Sequence, residues 1–289
     1  MSIHPRLVPL ASALGVAFLL VAAPIATRSE LARAAVNARL ALAGADHRLA
    51  SVEFRRAWRS VGPKGKAPAL DFVPADPRRG GRTDLTWAID TVDVTGDAPL
   101  EAVLGAVEDA LLPFLAERCA DGLVVTPVTP AGSTDLGELE AQVLATPTSP
   151  SIADLTHGGW LPGVFFDFLA EGGSSSILAL TATFVFIDAA GNPTDIDGNR
   201  ALDVSHRETY YNDAFLWSTA GLDVDVHTVA IHETAHLFGL DDLAATLTTG
   251  SDPSSVEPIA AGAYDGIEHQ LSPKARSSFC KNWRHWPSR

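Results

Sequence analysis

The chain has 289 residues, 46% of them hydrophobic and 19% charged, which is enough to bury a substantial core and excludes a disordered, collagen-like or coiled-coil protein. Its 21 Lys and Arg against 35 Asp and Glu give a net charge of −14, a field that repels phosphate backbones and suits hard cations, so nucleic acid is not an expected partner. The two cysteines, Cys119 and Cys280, are too few for a disulfide scaffold or a cysteine-rich metal site; they can bridge each other or stand as two buried thiols.

Leu7 to Ala26 is an uncharged apolar run behind Arg6, followed by small residues that include a small-x-small site at Ala32-Arg33-Ala34. Residues 1–34 therefore read as a signal peptide or, because the run is close to the roughly 20 residues needed to span a bilayer, as an uncleaved N-terminal anchor, with a buried core helix as the remaining alternative. The two export readings put the rest of the chain outside the cytoplasm, secreted or membrane-tethered, where oxidising surroundings make a bridge between Cys119 and Cys280 as plausible as two buried thiols. Ser29 to Trp58, rich in Ala, Arg and Leu, predicts one or two helices before the linker signal at Gly62 to Lys66. Residues 35–82 read as a pro-segment or an N-terminal arm, and 83–289 as the main domain.

After the turn-rich patch Pro74 to Gly81, the β-branched and aromatic residues of Leu85 to Asp90 predict a first strand. From Ala98 to Arg118, apolar residues at three- and four-residue steps predict an amphipathic helix that Pro113 kinks or ends early. Leu123 to Val128 and Ile177 to Ile187 read as strands, Asp225 to Leu240 as a helix, and Ser272 caps a last helix running to about Trp283. Strands and helices mix without a repeating βαβ period, so the expected fold class is α/β (α+β), layered around a mixed sheet.

The informative stretch is His232-Glu233-x-x-His236-x-x-Gly239-x-x-Asp242. Residues four apart share one helix face, so His232 and His236 can direct two imidazole nitrogens at one zinc ion. Glu233 stands beside that face, where its carboxylate can act as a general base without being a ligand. Gly239 tolerates a positive φ, letting the helix stop and the chain bring Asp242 back as a third ligand, with the fourth position left for water. In a chain of this composition the His-acid-x-x-His core is expected by chance roughly 0.03 times, and the full pattern roughly 0.0004 times. Two histidines on an ordinary helix are therefore a poor explanation of it.

This motif resembles the zinc signature of the metzincin metallopeptidases, and the stretches from Tyr211 to Trp217 and from Leu271 to Pro273 resemble secreted bacterial relatives of the matrixins. Most metzincins have His where this chain has Asp242, and an Asp there is similar to the snapalysin group. The resemblance covers approximately residues 83–289. It implies a zincin-like fold, with a twisted mixed sheet, an active-site helix and a small C-terminal subdomain, in a secreted endopeptidase. Its cofactor would be Zn2+ and its partner a protein or peptide substrate, with the chain acting as a monomer. Zinc would be held by His232, His236 and Asp242, and Glu233 would activate the water that attacks the peptide carbonyl. Two features depart from the pattern. The only methionine is Met1, so Ser255 to Pro258 stands where the family has its methionine turn, and no cysteine precedes Cys119 to serve as an inhibitory pro-segment thiol.

Alternatives to this site are a third ligand from Glu257 or Glu268, and an exported module whose metal site is structural or inactive. Asp195, Asp197, Asn199 and Asp203 space oxygen ligands like the first part of a calcium loop, without its glycine at position six or glutamate at position twelve. A Ca2+ site and a solvated acidic turn are both open there. His157 reads as a loop histidine beside a turn, with contact to a second metal as the rarer alternative. His227 reads as structural, and Tyr211 and Trp217 as core or cleft-wall residues.

Overall fold

The computed structural model describes residues 25–56, 69–91, 94, 98–129, 136–144, 153–220, 223–240 and 269–288. A long helix, α1 (Ile25–Ala43), leads into strand β1 (His47–Arg56), and a short strand β2 (Leu70–Asp71) precedes β3 (Leu85–Ile89). Helices α2 (Leu100–Asp109) and α3 (Leu112–Leu115) follow, then β4 (Val125–Pro127), α4 (Glu138–Leu144), β5 (Leu155–Leu161), α5 (Gly163–Leu169) and α6 (Gly173–Ser176). The rest comprises β6 (Ile177–Phe186), β7 (Leu202–Asn212), β8 (Trp217–Ser218), β9 (Val224–Asp225), α7 (Val226–Leu237) and α8 (Pro273–Trp283).

The result is a mixed α/β protein around one seven-stranded mixed sheet, in the order β1-β6-β7-β5-β3-β4, with β2 added beside β7. Strand β6 runs antiparallel to both neighbours, whereas β7, β5, β3 and β4 pair in parallel. Helices α1, α4 and α5 pack on one face over a core that includes Val36, Leu40, Phe165, Phe166 and Phe184. The other face carries α2, α7 and α8 over a second core that includes Val107, Phe114, Val229, Phe279 and Trp283. Cys119 and Cys280 form a disulfide between Cα atoms 5.4 Å apart, tying the turn after α3 to α8. Among the described residues no helix is long and apolar enough to cross a membrane. Most of the Leu7 to Ala26 run lies outside the described residues, and the Ala32-Arg33-Ala34 site lies inside α1, where Ala32 is buried.

Several local expectations change. Residues 47–56 form a strand and not a helix continuing from Ser29, because nine residues of β1 find partners on β6 and tertiary pairing overrides their mixed propensity. Leu85 to Ile89 is consequently the third strand, and the arm before it contributes both an edge of the sheet and a covering helix. Strands β5 and β7 escape a search for apolar runs because each carries several polar side chains, from Thr156 and His157 to Arg207, Glu208 and Thr209. Pro113 acts as expected: the helix stops at Asp109, and Pro113 falls in the first turn of α3, where its missing N–H costs nothing.

Candidate metal centre

Helix α7 begins where the Asp225 side chain accepts the Thr228 N–H at 2.7 Å, a true N-cap. Apart from His227, every residue from Val226 to Leu237 is buried, so the helix is enclosed on all sides rather than amphipathic. It ends in a Schellman turn: Leu240 N–H reaches Ala235 O at 2.9 Å and Gly239 N–H reaches His236 O at 2.8 Å, with Gly239 at φ +77°. The buried guanidinium of Arg207 on β7 completes the cap by donating to Leu237 O at 2.7 Å. Burial lowers its pKa to about 10, against the pull of Glu53 and Asp71, so it stays charged at neutral pH beside the negative end of the helix.

On this helix His232 and His236 turn their rings towards each other, with their Nε2 atoms 3.0 Å apart. Two nitrogens on a tetrahedral zinc at about 2.05 Å would be separated by roughly 3.3 Å, so the pair fits one ion with little movement. The tautomer fits as well. His236 Nδ1 lies 2.7 Å from Leu240 O, and a carbonyl can only accept, so Nδ1 carries a proton and Nε2 is the nitrogen left to face a metal. Glu53 of β1 brings a carboxylate oxygen to 3.2 Å from the same Nδ1. Both imidazoles are buried, and an imidazole nitrogen is the ligand type a borderline-soft cation takes.

Beneath the helix the sheet presents a polar row. Glu53, Thr181, Thr209 and His157 are successive register partners on β1, β6, β7 and β5. Thr181 Oγ1 lies 2.6 Å from Glu233 Oε2 and 2.9 Å from Thr209 Oγ1. His157 Nδ1 meets the Tyr211 hydroxyl at 2.7 Å. Burial lowers the His157 pKa to about 3, so its ring is neutral, while burial and the nearby Glu233 charge drive Tyr211 well above its ordinary value. His157 is thus a buried strand residue and not a loop histidine, because β5 extends through it with neighbours on both sides.

Of the expected site residues, the structure brings together His232, Glu233 and His236. Asp242 lies outside the described residues, as do Glu257, Glu268 and the Ser255 to Pro258 stretch. Tyr211 and Trp217 are core residues, and His227 is partly buried against His269 at a ring distance of 4.3 Å. In the acidic loop, carboxylate oxygens of Asp195, Asp197 and Asp203 lie within 4.8 Å of one another. Asp203 is buried and paired with Arg78 at 2.8 Å, and Asn199 turns its side-chain oxygen to the Ala201 N–H. The residues the motif did not disclose are Glu53, Thr181 and Thr209. A signal for one of them existed, since Thr181 and Thr183 stand two apart in an otherwise apolar strand and so share a face. The chain matches the model of no protein family and no curated protein.

Proposed function

We propose that this protein is a secreted or membrane-tethered zinc-dependent endopeptidase of the metzincin type, with a zincin-like fold. The observation that carries the reading is the pair of buried imidazole Nε2 atoms 3.0 Å apart, with the Glu233 carboxylate on the next position of the same helix. The mixed sheet with its buried helix α7, and the C-terminal helix α8 after it, agree with the architecture that the resemblance implies.

His232 and His236 would hold the zinc, with Asp242 as third ligand, and bound zinc supplies a Lewis acid that polarises a peptide carbonyl and makes water a better nucleophile. Glu233 takes a proton from the attacking water and delivers it to the leaving amine, a cycle that returns the carboxylate to its ionised state. The Leu240 carbonyl and Glu53 hold His236 in the ligating tautomer, and Arg207 secures the helix end from which Leu240 projects.

Metal analysis of the purified protein together with a casein-cleavage assay, with and without chelator, tests this reading. One zinc per chain and chelator-sensitive cleavage support it. Zinc bound without any cleavage, by the parent and by Asp242→His alike, would leave a structural metal site and end the endopeptidase reading.

A further inference from the structure

The Thr181 hydroxyl donates to Glu233 Oε2 across 2.6 Å. Thr181 then has no second proton to give, and its 2.9 Å contact with Thr209 Oγ1 must run the other way, from Thr209 to Thr181. The two hydroxyls form a relay from β7 through β6 to the helix, and all three residues are fully buried. Register fixes the relay, because Thr181 and Thr209 are direct partners in the β6–β7 ladder and point to the same face. A bond of this length, buried and polarised by a second hydroxyl behind it, is stronger than the same contact in water.

We infer that Thr181, supported by Thr209, is a positioning residue for the catalytic carboxylate. It holds Glu233 Oε2 against the sheet, so that proton transfer falls to Oε1 and the side chain does not swing between rotamers. The inference rests on the endopeptidase reading for its catalytic consequence, but the contact itself does not depend on zinc.

The test therefore has two arms on the full chain. In the first, kcat and KM for peptide cleavage and zinc content are measured for Thr181→Val, Thr181→Ser and Thr209→Val. Removing the hydroxyl should lower kcat roughly 10- to 100-fold, the cost of a misplaced catalytic group. KM should stay within about twofold and zinc content unchanged, Ser should restore most of the rate, and Thr209→Val should fall between. A Thr181→Val enzyme with parental kcat, or a Ser variant as slow as Val, overturns the inference. The second arm measures the denaturation midpoint of zinc-free protein. The midpoint shift caused by Thr181→Val should shrink in a Glu233→Ala background, and Thr181→Ser should repeat the comparison with the hydroxyl kept. An unchanged shift overturns the contact. A parent with zinc and no cleavage, but with this coupling intact, defeats the endopeptidase reading alone.

Discussion

The same two strands, β6 and β7, look in opposite directions and meet different chemistry. Towards α1, α4 and α5 they present Leu180, Ala182, Phe184 and Tyr210, which fill a core; the buried Glu208 there accepts the Glu138 and Leu139 N–H groups at the start of α4. Towards α7 they present Thr181, Arg207, Thr209 and Tyr211, each engaged with α7 or with the row beside it. One face spends its alternation on apolar area and the other on holding polar groups at fixed distances. The lesson is that side-chain alternation of period two lets a single pair of strands serve as scaffold on one side and, on the other, as a support for the helix that carries His232, Glu233 and His236.

If this division is right, substitutions on the two faces should separate stability from turnover. The largest effect is expected from Glu233→Gln, which should lower kcat by about 10³-fold or more while zinc stays bound, because the amide cannot take the proton. Steady-state kinetics with metal analysis checks it, and a variant that retains the parental rate removes Glu233 from its role. On the opposite face, Phe184→Ala should cost about 3–5 kcal/mol through the cavity it leaves, with kcat per folded molecule close to the parent's. Denaturant unfolding beside active-site titration distinguishes these; a large kcat loss there would break the comparison.

The disulfide is a structural element of the α7-side layer and joins residues 161 apart in sequence. Replacing both cysteines by Ser should cost about 3–5 kcal/mol by freeing the unfolded chain. A denaturation midpoint that does not move would show that the bridge contributes nothing.

His157 connects the polar row to pH. Its folded pKa is depressed to about 3 from 6.5, so below pH 6.5 the unfolded chain binds a proton that the folded protein refuses. Stability from this group is full above pH 6.5 and is lost as pH falls towards 3, by about 1.4 kcal/mol for each pH unit. Unfolding measured from pH 7 to pH 5 should show a shallower decline in His157→Gln than in the parent; parallel declines would assign the acid sensitivity elsewhere. The smallest effect is expected at Gly239, where φ is +77° and an added Cβ would lie 3.0 Å from an Arg207 guanidinium nitrogen. Gly239→Ala should cost about 1–2 kcal/mol, read as a lower denaturation midpoint.

The α7 side of the comparison was partly legible in sequence. The spacing of His232, Glu233 and His236 is a local property of a helix, and the Asp225 cap and the Gly239 stop are local signals too, so the helix and its inward-turned pair could be read directly. The supports could not, because Glu53, Thr181, Thr209 and Arg207 come from three strands up to 156 residues apart, and only pairing register brings them under one helix. For the same reason 47–56 reads as a helix in isolation: its Leu49, Val52 and Phe54 do not reveal which edge will accept them. His157 was misread because a strand followed by Gly158 and Gly159 carries the residues of a turn.

The most direct measurement is zinc stoichiometry by mass spectrometry on the purified full chain, alongside His232→Ala and His236→Ala. One ion per parent chain, lost in both variants with the fold retained by circular dichroism, is the predicted result. A parent that purifies without zinc and takes up none on reconstitution, or variants that keep the ion, would contradict the account.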